Sequence, residues 1–519
     1  MFDVNSLPKE LTPSIIAGAA AGLGVVYFLG TCFYNLFLHP LRKIPGPALA
    51  AIGPYLEFYH EVWRDGQYIW EIEKMHEKYG PIVRVNAREI HIKDTSYYAT
   101  IYTAGARKTN KDPATVGAFD VPTATAATVD HDLHRARRGY LNPYFSKRAV
   151  QGIEPMVHER ISKMLSRFDD FRKTGKVLTL DGIFSALTAD VITSRFYGNH
   201  YDYLGTDDFH FIVRDGFIGL TYVYHLARFL PTLVLVLKSM PSIFLKTIMP
   251  PVAELLQMRD EIQANGIDQF KGTDKKVDKK SSVLVAALAD PHIPTAERTV
   301  SRMLDEGTVF LFAGTETTSR TLCVTMFYLL SQPHLLKTLR AELDTLPDTP
   351  DNIHSLGELE VLPYLTGVVH EGLRLAFGPI SRSSRVATKE NLQYKEHTIP
   401  AMTPVSQSTY FIHTDPDIYP DPWEFKPERW IEAAEKGVAL SKYICNFSKG
   451  SRQCIGYSMS FAEMYLTLSR IVRAFDMELY DTTAADIDIT HARIVGYPKA
   501  VPGKKEGLGE IRVKVTKKL

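Results

Sequence analysis

The spacing of apolar residues along the chain predicts a mainly helical protein with little sheet. Four long segments place apolar residues at steps of three and four with charged residues between them, as amphipathic helices do. These segments are Glu154–Phe171, Val300–Ser331, Leu362–Leu375 and Met459–Phe475. Strand-like alternation is strongest in Pro81–Ile92, where it predicts two strands around a turn at Asn86 and Ala87. The absence of any internal repeat favours one large domain, 51–519.

The N-terminal segment Ile15–Leu38 is apolar and carries no charge. As a helix it is long enough to cross a bilayer core of about 30 Å, so it predicts a transmembrane anchor behind a short tail, 1–14. A cleaved signal peptide is the alternative, but the apolar stretch is long for one and no small-x-small site precedes Arg42. Arg42 and Lys43 follow the segment, and this positive charge predicts that the rest of the chain is cytosolic.

The segment 39–50 contains Ile44-Pro45-Gly46-Pro47 and predicts a stiff hinge between anchor and domain, because proline cannot continue a helix. Further along, Phe229–Leu237 is strongly apolar but too short to span a bilayer, so it is either a buried helix or a segment that dips into the membrane surface. The polar run Lys271–Ser282 predicts a solvated connection, with a partner-docking role as the alternative.

Composition narrows the class of protein. The 519 residues are 45% hydrophobic and carry a formal net charge of +1, so no basic field is present to attract nucleic acid. The cysteines form no C-x-x-C pair, which favours a reducing compartment. They are Cys32, Cys323, Cys445 and Cys454.

The most informative cysteine is Cys454, in a loop that precedes an apolar-periodic helix. Gly450 and Gly456 permit tight turns that bring backbone amides together, and the helix directs its positive end toward the same point. Amides, a helix N-terminus or a metal lower the pKa of a thiol, and the thiolate is the form that binds iron. Cys454 is therefore either a metal ligand or a small buried side chain.

The pattern Phe447-x-x-Gly450-x-Arg452-x-Cys454-x-Gly456 resembles the haem-binding signature of the cytochrome P450 family. The resemblance implies the P450 fold, mainly α with small β-sheets, and haem b with Cys454 as its axial thiolate. It also implies that Phe447 packs beside the sulfur and that Arg452 binds a haem propionate. Cys445 lies outside the pattern and is expected to be structural.

Two charged motifs extend this resemblance. Glu371 and Arg374 are three residues apart on one helix face, where they could be an ordinary surface pair. They are similar to the family's E-x-x-R pair, which implies a buried structural network completed by Arg429. The segment around His134 and Arg138 resembles the W-x-x-x-R motif, with His134 in the place of tryptophan, and implies two further propionate partners.

The positions of the neighbouring arginines predict different roles for them. Arg135 and Arg137 are expected on a solvated face, and after Arg374 either Arg382 or Arg385 supplies another propionate contact, the spacing favouring Arg385.

The segment Ala313–Thr318 interrupts a long apolar helix. A threonine hydroxyl at Thr317 can bond back to the carbonyl of Ala313, and Gly314 weakens the helix locally. Small residues also allow close packing against another helix. The segment resembles the distal-helix motif of the family, which implies that Glu316 and Thr317 are an acid–alcohol pair that delivers protons.

The resemblance as a whole implies a monooxygenase that inserts one oxygen atom into a hydrophobic molecule, by hydroxylation or epoxidation. The chain has no dinucleotide fingerprint, so an NADPH–cytochrome P450 reductase at the endoplasmic reticulum membrane is expected to supply electrons, with cytochrome b5 as an optional donor. A reductase-independent haem-thiolate isomerase or dehydratase, and a haem-binding sensor, are the alternatives.

Substrate residues are expected, with apolar character, in the segments Thr109–Thr128, Phe211–Leu237 and Leu304–Thr317, and around Ile380. Two segments, Leu36–Leu41 and Leu133–Arg138, look like those of filamentous-fungal P450s that tailor terpenoids and polyketides.

Overall fold

The long helices form where the apolar spacing predicts them. The computed structural model describes residues 13–105, 107–198, 201–209, 212–232, 236, 239–248, 250, 253, 256–257, 282–499 and 510–519. The helices of eight or more residues are α1 Pro13–Phe33, α2 Tyr68–Tyr79, α3 His131–Phe145, α4 Glu154–Thr174, α5 Leu180–Tyr197, α6 Ile212–Phe229, α7 Val300–Ser331, α8 Pro333–Leu343, α9 Pro363–Ala376, α10 Glu428–Glu435 and α11 Tyr457–Ala474. The prediction of a mainly helical chain is confirmed.

Local capping explains where the predicted helices begin and end. The Thr299 side chain accepts a hydrogen bond from the N–H of Arg302 and starts α7, while Pro363 occupies the first turn of α9. Helix α4 ends at Thr174, three residues beyond the predicted end. It ends there because the next residue, Gly175, takes the left-handed conformation at φ 66°. Each of the four predicted helices therefore exists, with small differences at the ends.

The strands are short and form small sheets. They are β1 Ile82–Arg84, β2 Ile90–Ile92, β3 Thr109–Lys111, β4 Leu178–Thr179, β5 Arg385–Ala387, β6 Leu392–Tyr394, β7 His397–Ile399, β8 Pro404–Ser406, β9 Phe475–Leu479, β10 His491–Ala492, β11 Gly496–Tyr497 and β12 Arg512–Lys518. The largest sheet has the order β1-β2-β8-β5-β3, in which only the β2–β8 pair is parallel. The predicted pair of strands in Pro81–Ile92 is confirmed by the antiparallel register of Ile82 with Ile92.

Helix α7 is the centre of the main core. Along most of its length its side chains are buried, and it packs against α5, α9 and α11. Helix α5 is itself almost entirely buried, which is consistent with its weak amphipathic pattern. Because α7 passes through the interior, the cavity described below can form along one of its faces.

The N-terminal helix stands apart from this core. Pro13–Leu38 is long and apolar enough to cross a membrane, and its most apolar part is not buried against the rest of the protein. The following segment is joined to the sheet, since Pro45 accepts a hydrogen bond from the N–H of Arg84 at 2.8 Å and Leu41 is buried. The predicted hinge 39–50 is therefore packed on β1. Residues 1–12 of the predicted tail lie outside the described residues.

Two predicted segments fall wholly or partly outside the described residues. Residues 271–281 of the polar run are not described, nor are residues 233–235 and 237 of the apolar run. At its start, Arg228 and Phe229 end helix α6, so this part of the run is helical.

Candidate active site

An internal cavity of about 350 Å³ lies between α7 and the loop that precedes α11. Helix α7 contributes Ala313, Gly314 and Thr317 to its wall, and the loop contributes Cys454 and Gly456. Ala313 and Cys454 are each more solvent-accessible than the residues on either side of them, because they face this cavity. The structure therefore brings the predicted distal helix and the predicted cysteine loop together around one space.

Hydrogen bonds and aromatic packing fix the shape of the cysteine loop. The N–H of Cys454 donates to the carbonyl of Phe447 at 2.8 Å. Gly450 has φ 73°, and a Cβ there would overlap the carbonyl of Thr103, so only glycine fits. The Phe447 ring packs against Phe461 with centroids 5.5 Å apart. These constraints hold the Cys454 side chain toward the cavity.

The electrostatic surroundings of Cys454 act in opposite directions. Burial raises the pKa of its thiol, while the N–H of Gly456 and the positive charges of Arg138 and Lys111 lower it. Burial is the largest effect, so amides and the helix N-terminus do not by themselves produce the thiolate that the sequence suggested. Coordination of a metal ion is the remaining factor that favours the thiolate.

Cationic and imidazole side chains converge on the cavity. The predicted residues His134, Arg138, Arg385 and Arg452 all line it, and so does Lys111, which sequence reasoning did not single out. Arg452 donates to the carbonyls of Thr128 and Val129 at 2.6 and 2.7 Å, and its Nε has no partner among the described residues. Arg138 donates to the carbonyl of Gln453, next to the cysteine.

This cluster holds more positive charge than its surroundings neutralise. Burial, followed by the charges of Arg385, Arg452 and Arg138, lowers the pKa of Lys111 to about 7. Burial, followed by the charge of Arg385, lowers the pKa of Arg452 to about 10. Burial lowers the pKa of His134 to about 2, so its imidazole is neutral. A ligand with two carboxylates and a metal that accepts sulfur fits these donors, as haem does.

The remaining arginines are placed elsewhere. Arg382 forms ion pairs with Glu57 and Glu89 and does not line the cavity, so Arg385 is the residue that the structure brings to the site. Arg135 is exposed as expected. The expectation for Arg137 is wrong, because its Nε lies 2.8 Å from a carboxylate oxygen of Glu297 and its side chain is only 12% exposed.

Helix α7 satisfies both interpretations of its small-residue segment. The Thr317 hydroxyl donates to the carbonyl of Ala313 at 2.8 Å, as the sequence suggested, and its side chain faces the cavity. A Cβ at Gly314 would lie 2.6 Å from Cδ1 of Ile192 in α5, so this small residue also allows the two helices to pack closely. Gly314 therefore permits close helix packing at the turn that presents Thr317.

Glu316 lies behind the cavity wall. It is buried but does not line the cavity, and its charge adds to the effect of burial in raising the pKa of Tyr497. The structure thus places the acid and the alcohol on different sides of the helix, with only Thr317 in direct contact with the cavity.

The charged network around Glu371 is complete and buried. Arg374 and Arg429 both bond to its carboxylate, and the indole N–H of Trp430 donates to Glu371 Oε2 at 2.9 Å. Glu371 and Arg374 have no exposed surface, so the surface-pair alternative is excluded.

Other residues that line the cavity were either not predicted from the sequence or predicted only as part of a longer segment. Helices α3 and α5 contribute Phe145, Ile192 and Phe196. The spacing of apolar residues in these helices predicts burial and does not indicate a cavity. Glu306 and Thr125 fall within the predicted ranges, but their polarity corrects the expectation of an apolar wall. Near Ile380 the lining comes from Gly378, Pro379, Ser381 and Ser383. No described residue of Phe211–Leu237 lines this cavity.

The fold and the cysteine loop define a haem-thiolate protein of the cytochrome P450 class. The family model "Cytochrome P450" matches residues 45–500, and the chain belongs to this family. The chain is a cytochrome P450 monooxygenase, and the family and fold imply haem with an axial cysteine thiolate.

Its relatives include named fungal enzymes. It is 76% identical to cytochrome P450 monooxygenase TRI4 of Trichoderma arundinaceum over 100% of both chains. It is 69% identical to cytochrome P450 monooxygenase SAT11 of Stachybotrys chartarum, over 95% of this chain and 93% of the relative. The solved structure of retinoic acid bound cyanobacterial CYP120A1 is similar at TM-score 0.65 and 20% identity, covering 86% of this chain and 94% of that one, and supports the fold alone.

Proposed function

We propose that this chain inserts one atom of dioxygen into a hydrophobic small molecule, such as a terpenoid or polyketide of fungal secondary metabolism, by hydroxylation or epoxidation. One observation carries the proposal: Cys454 and Thr317, which are far apart in the sequence, line the same cavity. The fungal relatives TRI4 and SAT11 support this assignment of pathway type.

The residues around the cavity would hold and orient the cofactor. Cys454 is the proposed axial thiolate, and His134, Arg138, Arg385 and Arg452 are the proposed propionate partners. When bound, the haem supplies reductive activation of dioxygen, and the thiolate adds electron density at the iron. Lys111 extends the same positive cluster and would stabilise a propionate by charge.

Thr317 is proposed to hold and deliver a proton inside the cavity. Its hydroxyl donates to the Ala313 carbonyl, which leaves its oxygen lone pairs available to accept a hydrogen bond from water in the cavity. Rotation of the hydroxyl then allows it to donate a hydrogen bond toward dioxygen in the cavity. Glu316, behind the wall, is the proposed source from which the proton is replenished. The Thr317 hydroxyl at the wall favours this reaction over isomerisation or dehydration.

The proposed location and partners rest on the N-terminal apolar helix. We propose that Pro13–Leu38 anchors the chain in the endoplasmic reticulum membrane with the catalytic domain in the cytosol, where NADPH–cytochrome P450 reductase reduces it and cytochrome b5 can assist.

The experiment is reconstitution of the full chain with the reductase in vesicles. NADPH consumption coupled to transfer of one labelled atom from ¹⁸O₂ into a product supports the proposal, and product formation without NADPH contradicts it. The substrate class is tested by comparing terpenoid and polyketide metabolites of a deletion strain and its parent.

A further inference from the structure

Glu306 is a carboxyl group in the cavity wall on the same face of α7 as Thr317. Glu306, Val309, Phe310, Ala313 and Thr317 all line the cavity, at the three- and four-residue steps of one helix face. From position 306 to position 317 the helix rises by about 16 Å. The carboxyl group is therefore at the far end of the cavity from the proposed proton donor.

Among the described residues, the hydrogen bonds to the Glu306 carboxyl group all go to one oxygen, Oε1. Oε1 accepts from the N–H of Thr125 at 2.7 Å and from its hydroxyl, and lies 3.3 Å from Nη2 of Arg302. For Oε2 the structure gives no hydrogen bond within the described part of the chain, and the side chain is 1% exposed. Burial raises the pKa of this carboxyl group, and the Thr125 hydroxyl, followed by Arg302, opposes the rise.

The neighbouring carboxylate shows what a purely structural residue does here. Asp305 accepts from both the N–H and the hydroxyl of Thr123, at 2.9 and 2.5 Å, so it holds the same loop to α7. Asp305 does not line the cavity. Glu306 therefore repeats the loop contact of Asp305 and differs from it by presenting a polar group to the cavity.

Three phenylalanines form an apolar part of the same cavity wall. Phe145, Phe196 and Phe310 pack against one another with centroid distances of 4.7 to 5.3 Å and all line the cavity. A polar atom in such a cavity is hydrated when the cavity is empty of substrate. If a hydrophobic molecule displaces that water and offers no hydrogen bond, the free energy of the complex rises. A hydroxyl group on that molecule would restore the lost hydrogen bond.

We propose that Glu306 is a specificity-determining residue that binds, through Oε2, a hydroxyl group of the substrate at the end remote from the carbon that reacts. The inference rests on the proposed function, because it takes the cavity to be the substrate site. It names the substrate class as a hydrophobic molecule that already carries one hydroxyl group. Both a carboxylate, which accepts from the hydroxyl, and a carboxyl group, which donates to it, can make this contact.

The test uses the ferric holoenzyme and matched terpene pairs that differ in hydroxylation. The probes are limonene with α-terpineol, α-bisabolene with α-bisabolol, and α-cedrene with cedrol, with dissociation constants from equilibrium dialysis and spectral titration. We expect wild type to bind the alcohol at least tenfold more tightly than the hydrocarbon in one or more pairs. In Glu306→Leu this preference falls to about onefold, and Glu306→Gln keeps part of it.

Asp305→Asn is the matched control, since it weakens the same loop contact outside the cavity wall and keeps the alcohol preference. The proposal is overturned if wild type prefers the alcohol in no pair, if Glu306→Leu keeps the preference, or if Asp305→Asn loses it equally. The reduced carbon monoxide spectrum and NADPH-dependent turnover are measured on the same samples, so failure of the proposed function is seen separately. If neither terpenes nor their alcohols bind, both the substrate class and this inference fail.

Discussion

Arg374 and Glu371 are joined by two parallel hydrogen bonds, Nε to Oε2 at 2.9 Å and Nη2 to Oε1 at 2.6 Å, with no exposed surface on either residue. The pair is connected to the cysteine loop through His413. Nδ1 of His413 lies 2.9 Å from the Arg374 carbonyl, and its Nε2 accepts from the N–H of Cys445 at 3.0 Å. Burial, followed by the charge of Arg374, lowers the pKa of His413 to about 3, so the ring is neutral and donates from Nδ1. The network therefore supports the loop that carries Cys454.

Removing Arg429 is expected to prevent stable haem incorporation. Its Nε donates to Glu371 at 2.9 Å, and Arg429→Ala leaves a fully buried carboxylate with one counter-ion fewer. Breaking such a buried network costs about 3 to 5 kcal/mol. The measurement is haem content per chain after purification. Lys426→Ala is the control, because the Lys426 side chain is 47% exposed in its pair with Glu432 and should be dispensable. Full haem content in Arg429→Ala would contradict the structural role.

Replacing each of the two cavity cysteines by serine distinguishes the proposed haem ligand from the other cysteine. Cys445 and Cys454 both line the cavity, but burial raises the pKa of Cys445 to about 12 and its thiol lies 3.4 Å from the Tyr443 carbonyl. Cys454→Ser should abolish the thiolate-type spectrum of the reduced carbon monoxide complex, whereas Cys445→Ser should keep it. The opposite result would transfer the ligand assignment to Cys445.

Removal of the Thr317 hydroxyl should separate electron use from product formation. Thr317→Ala keeps the cavity shape apart from the hydroxyl and methyl groups, so haem binding is expected to persist while more NADPH is consumed per product and more hydrogen peroxide is released. Thr308→Ala is the matched control, since Thr308 makes the same bond to the carbonyl four residues earlier, at 2.7 Å, but does not line the cavity. Equal coupling in both variants would argue against proton delivery by Thr317.

Contacts between residues close in the sequence could be predicted, and contacts between distant segments could not. Glu371 and Arg374 could be placed together because their spacing puts them on one helix face, and Gly450 could be recognised because a tight turn requires it. Arg137 could not be placed, because the carboxylate that buries it, Glu297, is far away in the chain. Lys111 and Glu306 lie in segments that were predicted to line the site, but neither residue was singled out. The reason is the same, since only the fold brings their segments to one cavity.

The close packing at Gly314 predicts a compensating pair of substitutions. A Cβ at this position would lie 2.6 Å from Cδ1 of Ile192, so Gly314→Ala forces α5 and α7 apart and should cost about 1 to 3 kcal/mol. The Cβ would also lie 2.7 Å from Cγ1 of Ile192. Ile192→Ala removes both atoms, so the double variant should recover part of the stability. Thermal unfolding of the holoenzyme measures both. If the effects of the two substitutions simply add, the contact between these residues is not the cause.

Glu61 should make stability depend on pH in a specific direction. Burial raises its pKa to about 7, against the opposing charges of Arg382 and Arg228, and Oε2 has no hydrogen-bond partner among the described residues. The ordinary pKa of a glutamate side chain is 4.5, so between pH 4.5 and 7 the folded state holds a proton that the unfolded state has lost. The free energy of unfolding therefore falls as pH rises through this window, by roughly 3 kcal/mol in total.

Glu61→Gln removes this titration and keeps the volume of the side chain. We expect the variant to be more stable than wild type at pH 8, with the difference shrinking toward pH 5, because wild-type Glu61 is then protonated and equally neutral. Unfolding midpoints across this range measure the difference, in which the other titrating groups cancel. Glu77→Gln, at an exposed position of α2, is measured in parallel as the control for the loss of a surface carboxylate. A difference that is constant with pH, or that grows toward acid, would show that Glu61 is ionised in the folded protein, held by Arg228 and Arg382.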